Sequence, residues 1–559
     1  MRLMTRRLRL GSIFLVMMGM LLAGSVRAAP APSAVRERLR HRLEATSGPE
    51  RIVVGRQVVQ SETSLRKFYT ERGFAPAWSA GSRFTDQADS LLAAIEAAGL
   101  EGLSPSDYHL IPLRKALGTG PNAAVRTLGL PGIVDTELLL TDAWLLLATH
   151  CLSGKLDPTT LDPEWVVSRR QVDLSIVLET ALREGTVAAT LRSLLPGQPG
   201  YAWLKAGLAR YRRLAAQGEW TVVPAGPLLR PGGRDPRLSV LAQRLAAERG
   251  DSLNVSGETY EQDLVDAVKS FQRRQGLKVD GIVGPSTLSA LNIGVLERID
   301  EIRVNLERWR WLPQDLGPRH IVVNIADFHL RVIEGDGLIL TLPVIVGKPF
   351  RRTPVFSATM SYLVFSPVWE VPPMLAEQDK LPLIRGNPEY LATYGFEVLS
   401  GWGADERIVD PDSVRWNEMK PGRFPYRLRQ KPGPLNALGG VKFMFPNKFN
   451  VYLHDTPSRE LFRESVRTFS SGCIRVQDTE RLAALLLGDK PEWTADAVTA
   501  AMTSGRERTV RLTRAIPVHL QYWTAWSDEH GGMEFRRDIY GRDKGVLAAL
   551  SEAPPAGGR

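Results

Sequence analysis

Apolar residues recur every three or four positions through the first half of the chain and every second position through much of the last. This pattern predicts a helical half followed by a β-rich half. Residues 89–98 and 137–152 read as helices. Leu238, Leu241 and Leu245 share one helical face, and Leu264, Val268 and Phe271 another. Residues 276–291 then make a turn and a capped helix, completing a small three-helix unit. From Ile302 the pattern turns to strands: 321–333 and 339–346 form a hairpin turning at Glu334-Gly-Asp-Gly337, and 353–356 and 360–365 continue the sheet. Between 374 and 434 the alternation lapses into helical and loop segments, an insertion. Phe449-Asn-Val-Tyr-Leu-His454 alternates again and reads as a strand ending at the histidine. Residues 515–526 are a closing strand, and 535–543 complete the β-rich unit. Divisions follow at 1–28 (leader), 29–50 (flexible lead), 51–230 (helical), 231–295 (three-helix unit), 296–545 (β-rich, insertion 374–434) and 546–559 (disordered tail). The fold class is multidomain α+β.

A chain of 559 residues exceeds what one core can organise. Hydrophobic content of 43% with 24% charged residues is globular. Arg2, Arg6, Arg7 and Arg9 precede an apolar run from Ile13 to Ala23 and a small-residue site at Val26-Arg27-Ala28, the pattern of an export signal or an uncleaved membrane anchor. Removing it takes away five arginines and no acids, so the net charge falls from +10 to about +5. No basic run with interleaved aromatics points to nucleic acid. Of the two cysteines, Cys151 lies in an apolar helical stretch and reads as core. No disulfide is expected.

The stretch His454-Asp-Thr-Pro-Ser-Arg-Glu-Leu-Phe-Arg-Glu-Ser-Val-Arg-Thr-Phe-Ser-Ser-Gly-Cys473-Ile-Arg-Val476 carries the candidate chemistry. Thr456-Pro457 is a helix start, and 458–466 a helix burying Leu461, Phe462, Ser465 and Val466 on one face. Ser470-Ser471-Gly472 then breaks the pattern and presents Cys473 before a β-rich run; a short helix capped by Asp478 follows. A strand-end histidine and a loop cysteine joined by a short crossover can meet in space. A free thiol is only a few per cent thiolate at neutral pH, and a neighbouring imidazole that takes its proton makes it a nucleophile. On the residues alone, a buried cysteine and an unrelated histidine fit equally well. No CxxC or HxxxH pair accompanies the two, and structural zinc needs four ligands, so no metal is expected.

H-x(15)-S-S-G-C-x-R resembles the signature of L,D-transpeptidases with a YkuD-type catalytic domain, with Ser471 where many members carry a second histidine. The large periplasmic, YcbB-like branch has serine there. Its flanks are similar to Gln430-Lys-Pro-Gly-Pro-Leu-Asn-Ala-Leu-Gly439, Val441-Lys-Phe-Met-Phe-Pro-Asn447 and Tyr452-Leu-His-Asp-Thr-Pro457. Ser366-Pro-Val-Trp-Glu-Val-Pro-Pro373 resembles the family's N-P-x-W-x-V-P-P. Phe271-Gln-Arg-Arg-Gln-Gly-Leu-Lys-Val-Asp-Gly-Ile-Val-Gly-Pro-Ser-Thr287 resembles a peptidoglycan-binding module.

The resemblance implies a helical scaffold, a wall-binding module and a mainly-β sandwich catalytic domain with a capping insertion. It also implies Cys473 as nucleophile, His454 as general base and acid, and the Asp455 backbone carbonyl as the group orienting His454. Gly472 would supply backbone to an oxyanion hole. Arg475, Ser470, Ser471, Tyr452 and Trp369 would bind substrate. The implied reaction is a 3→3 cross-link between diaminopimelate residues of peptidoglycan stems, through a thioester from a tetrapeptide donor. No cofactor is required, and carbapenems would acylate Cys473. The implied location is the periplasm, with the inner membrane a partner through an uncleaved N-terminus. Other cell-wall synthases are further candidate partners, and nucleic acid is not one. Water as acceptor would make an L,D-carboxypeptidase, and a protein lysine a lipoprotein-anchoring enzyme. A non-catalytic wall-binding scaffold is the reading of another class.

Overall fold

The computed structural model describes residues 31–45, 51–118, 128–167, 169–250, 258–419, 422 and 424–554. The expected leader at 1–28 lies outside them.

Helix α1 (Pro32–Ala45) opens the described chain, with Pro32 in its first turn, where a missing N–H costs nothing. Val35, Leu39 and Leu43, four residues apart, are buried in the scaffold core, so this part of the expected flexible lead is a docked helix. The sequence hides it because three apolar residues stand among many charges. The scaffold packs around α2 (Leu130–Ser153), a 24-residue helix buried on nearly every side, as its all-round apolar sequence requires. His109 pairs with Asp142 at 2.7 Å and His150 Nδ1 meets the Tyr108 hydroxyl at 2.9 Å, both inside this core.

Past α2 the scaffold enters the β domain. Strand β1 (Trp165–Val166) pairs in parallel with Val355 and Phe356, and Trp165 meets Trp311 edge-on at 5.0 Å in the β domain's core. Helices α3 (Leu238–Arg249), α4 (Gln262–Arg274) and α5 (Pro285–Leu291) form the three-helix unit, and all six apolar positions predicted from the pattern are buried in it. Next comes α6 (Val295–Arg310), a helix that runs past Ile302, where the β-rich pattern was expected to begin. The lone apolar positions there face a helix-spaced core of Ile302, Leu306 and Trp309.

The β domain consists of β2 (Arg319–Asn324), β3 (His329–Glu334), β4 (Gly337–Gly347), β5 (Val355–Phe365), a cap sheet, then β10 (Val441–Met444), β11 (Leu453–His454), β12 (Thr468–Ser470), β13 (Ile474–Val476) and, after helix α7 (Thr479–Leu486), β14 (Arg508–Gln521). Pairing runs β10-β11-β13-β4-β3-β2-β14-β5 and returns from β5 to β10, so the expected sandwich is built as one sheet closed on itself. The hairpin turns where the sequence predicts, Glu334 pairing with Gly337. The expected helix 458–466 is instead a single 3-10 turn (Arg459–Arg463), with Val466 exposed. Asp478 stands at the start of α7 without a side-chain cap bond.

The insertion is not helix and loop alone. Strands β6 (Trp369–Glu370), β7 (Phe396–Ser400), β8 (Arg407–Val409) and β9 (Arg427–Gln430) form a separate sheet, ordered β6-β9-β7-β8. It has its own core around Trp369, Tyr390, Val398 and Leu428. At the other end α8 (Asp543–Ser551) buries Val546 and Leu550, so the expected disordered tail begins as a packed helix.

Candidate active site

Strand β11 ends at His454, and β13 starts just after Cys473. The two strands are parallel neighbours, with Leu453 opposite Ile474 and His454 opposite Arg475. Alternation then puts Tyr452, His454, Cys473 and Arg475 on one face. Cys473 is the diagonal neighbour of His454; such residues lie roughly 7–8 Å apart at Cα, within reach of their side chains. This register makes a pair of residues 19 apart in the chain.

The loop before Cys473 is held from within. Ser470 Oγ donates to Cys473 O at 2.5 Å and accepts from Gly472 N at 3.2 Å. Thr353 Oγ1 donates to Gly472 O at 2.9 Å. Gly472 has φ +115°, in the left-handed region that favours glycine. The Ser470 side chain is buried and bonded within the loop. The Gly472 N–H is already donated to Ser470, which leaves the Cys473 amide as the loop's N–H nearest the sulfur.

His454 is buried, and its Nδ1–H donates to Asp455 O at 2.6 Å. A carbonyl can only accept, so this bond fixes the tautomer and leaves the Nε2 lone pair free as a base. The Asp455 carboxylate turns the other way and accepts from Gly440 N at 2.8 Å. Burial, reinforced by the Arg475 charge, lowers the His454 pKa to about 3, against the Asp455 bond. Burial pushes the Cys473 thiol up to about 11, although the residue keeps a half-exposed face; Tyr452 and Arg475 act against the rise. At neutral pH the pair is therefore a thiol beside a neutral imidazole. The thiol faces Asn450 O at 3.7 Å, a weak contact.

Side chains of the cap and of the β domain meet around this site. Burial raises the Tyr452 hydroxyl pKa, Cys473 adds to the rise and Trp369 opposes it. Trp369, an expected substrate contact, is buried in the cap core. Pairing of β6 with β9 turns its ring into that core, against which Tyr452 packs. Lys380 Nζ sits 5.3, 5.5 and 5.8 Å from the ring centres of Trp369, Phe396 and Tyr390 and donates to Tyr390 Oη at 3.1 Å. Burial lowers its pKa, and the nearby Arg475 charge adds to this. Arg351 spans the gap, bonding Asp379 at 2.6 and 2.8 Å and Ser471 Oγ at 3.2 Å. Thr353, Arg351 and Lys380 were not found in the sequence. Each owes its position to pairing between segments that show no local motif.

Residues 318–504 match the family model described as "L,D-transpeptidase catalytic domain". The described site lies wholly inside that match. The chain carries an L,D-transpeptidase catalytic domain. Residues 234–291 match a "Putative peptidoglycan binding domain" and residues 63–208 a "Scaffold domain". A Haemophilus influenzae protein named "Putative L,D-transpeptidase" is 36% identical over 249 residues, 44% of this chain and 49% of that protein. The chain thus spans about half the length of this curated relative. The N-acetylmuramoyl-L-alanine amidase CwlL of Bacillus licheniformis is 41% identical over 68 residues, 12% of this chain and 19% of that protein. Among solved structures, the L,D-transpeptidase from Stackebrandtia nassauensis aligns over 52% of this chain and 94% of its own at 13% identity, with a TM-score of 0.21. The L,D-transpeptidase domain thus joins a helical scaffold and a peptidoglycan-binding domain in a chain that is both helical and sheet-rich.

Proposed function

We propose that the protein is a cysteine-dependent L,D-transpeptidase that joins peptidoglycan stems by 3→3 cross-links. The observation that carries this reading is the β11–β13 register, which sets His454, with Nδ1 tied to Asp455 O, beside Cys473 on one face of a matched L,D-transpeptidase domain.

Chemistry starts from the neutral pair. As Cys473 Sγ attacks the carbonyl of diaminopimelate at stem position three, its proton passes to His454 Nε2. The oxyanion forms against the Cys473 amide. The carbon–nitrogen bond to the terminal D-alanine breaks, His454 returns the proton to the leaving amine, and a thioester remains. The side-chain amine of a second stem's diaminopimelate loses a proton to His454 and attacks the thioester; the peptide bond forms and Cys473 leaves as the thiol. Arg475 and Lys380 give the groove a positive wall suited to stem carboxylates. The 234–291 domain would tether the enzyme to the wall, and the N-terminal segment would export it to the periplasm.

The test is incubation of the protein with purified disaccharide-tetrapeptide and mass spectrometry of the products, with Cys473→Ala as control. A cysteine-dependent dimer one D-alanine lighter than two substrates supports the proposal. Tripeptide alone identifies water as the acceptor, and no turnover without a carbapenem adduct on Cys473 returns the protein to a wall-binding scaffold.

A further inference from the structure

The flank Val441-Lys-Phe-Met-Phe-Pro-Asn447 contains a lysine to which the catalytic reading gives no role. In β10, Lys442 lies directly opposite His454 of β11, and on the other side of β11 Arg475 of β13 lies opposite the same histidine. Residues opposed in neighbouring strands share a face, so Lys442, His454 and Arg475 form one row on the active-site face. Strands lie about 4.8 Å apart, which puts the two cations roughly 10 Å apart at Cα with the imidazole between them. Val441 and Phe443, on either side of Lys442, point the other way into the β-domain core.

Neither cation is neutralised at contact distance. Among the described residues, the Lys442 ammonium and the Arg475 guanidinium make no hydrogen bond and no ion pair. Both residues are partly exposed, and none of their side-chain nitrogens is sealed from solvent. Burial lowers the Lys442 pKa, and the carboxylates of Glu507 and Glu370 act against this from beyond ion-pair distance. Both carboxylates are engaged elsewhere. Glu507 accepts from Val368 N at 2.7 Å, and Glu370 pairs with Arg427 and Arg429. A half-buried cation without a counterion, open to solvent beside a general base, suits an anionic group of the substrate.

We infer that Lys442 holds the carboxylate on the carbon that bears the reacting amine, and so selects acceptors of the amino-acid type. The inference rests on the transpeptidase reading above and names the group that fixes its acceptor. His454 gives a proton to one amine and takes a proton from another, so the leaving and the entering nitrogen occupy the same place beside its Nε2. D-Alanine leaves as an amine with a carboxylate on the adjoining carbon, and the diaminopimelate amine that enters carries the same unit. Lys442 Cβ stands about 5 Å from that of His454, well inside the reach of a four-carbon stem. Arg475 shares the strand that follows Cys473 and flanks the acyl half of the substrate. Lys442 stands across His454 from that strand and flanks the amine half. Water and the side-chain amine of a protein lysine bring no carboxylate to this position.

The test uses the full chain, loaded as the thioester with disaccharide-tetrapeptide and offered D-methionine or D-methioninamide, the same amine without the carboxylate. Mass spectrometry of the products reads the second-order rate at which each amine resolves the thioester. The wild type is expected to use the acid at least about tenfold better than the amide, the worth of one charge-assisted hydrogen bond. Lys442→Met should bring the two rates within about threefold of each other by slowing the acid alone, and Lys442→Arg should restore part of the preference. Comparing the ratio between variants cancels the different basicities of the two amines. Iodoacetamide labelling of Cys473 should stay within about twofold in Lys442→Met, and the melting temperature should not fall, which separates a lost contact from a damaged site. A thioester that forms while Lys442→Met keeps the wild-type preference overturns the inference and leaves the catalytic reading standing. So does a wild type that does not distinguish the two amines. A wild type that forms no thioester ends both.

Discussion

The molecule contains two histidine–cysteine–tyrosine groups, and they behave as opposites. In the scaffold, His150 and Cys151 are consecutive in α2, with Tyr108 Oη on His150 Nδ1 at 2.9 Å. In the β domain, His454 and Cys473 are far apart in the chain, with Tyr452 against the sulfur. Burial acts alike on both, lowering each histidine to about 3 and raising the thiols to about 12 and about 11. Consecutive helix residues point about 100° apart around the axis, so His150 and Cys151 look in different directions. The parallel register of β11 and β13 gives His454 and Cys473 a common face. The loop then leaves Cys473 partly open, whereas Cys151 is sealed in the core. What separates the proposed nucleophile from a core thiol here is shared orientation and access, because pKa barely differs.

The largest expected effect breaks the comparison at the sulfurs. Cys473→Ala should lower turnover of a tetrapeptide donor by about 10³-fold or more, as loss of a covalent nucleophile does. Cys151→Ala should leave turnover within about twofold and cost about 1 kcal/mol of stability, read by denaturant unfolding. Equal losses of activity in the two variants would end the assignment.

Next come the imidazoles. His454→Gln should slow turnover by about 10²- to 10⁴-fold, while His150→Gln should act on stability alone. Both histidines have folded pKa values near 3, below the unfolded value of 6.5. Only the unfolded chain takes up their protons between those limits, so each contributes stability that is lost as pH falls from about 6.5 toward 3. Melting temperatures between pH 7 and 4 should therefore fall less steeply in each Gln variant than in the wild type.

Smaller effects sharpen the contrast. Tyr452→Phe removes a hydroxyl that holds the Cys473 thiol down, so the thiol should rise further and iodoacetamide labelling at pH 8 should slow by about twofold to tenfold. Tyr108→Phe should leave that rate unchanged, with Cys151 unlabelled in the folded protein. In the wild type, labelling should climb without a plateau from pH 7 through 9, because the thiol titrates near 11. The smallest effect is expected for Asp455→Asn, within about threefold of wild-type turnover, since Asp455 holds His454 through its carbonyl. A loss of about 100-fold at unchanged stability would transfer that role to the carboxylate.

The sequence is legible wherever a local pattern meets a local fold. The Glu334–Gly337 turn and the buried faces of α3 and α4 follow from spacing alone, while of the expected strand 449–454 only Leu453–His454 is strand. It is illegible where structure comes from distant pairing. The cap strands are two to five residues long, too short for a period to emerge. β1 has two residues, and its partner lies in another domain. Arg351 sits 28 residues from Asp379 and 120 from Ser471, so nothing local marks it as the tie between cap and nucleophile loop. Ser470 shows the opposite failure. A polar residue beside the nucleophile invites a substrate role, but its hydroxyl is needed to hold the loop's own backbone.

The central claim is that Cys473, and not Cys151, carries an acyl group during turnover. Rapid quenching of the protein with a tetrapeptide donor, followed by peptide mapping of the adduct, tests it most directly. The account predicts a thioester of the donor less its terminal D-alanine, found on the Cys473 peptide, retained in Cys151→Ala and absent in Cys473→Ala. An adduct on Cys151, or turnover persisting in Cys473→Ala, would contradict it.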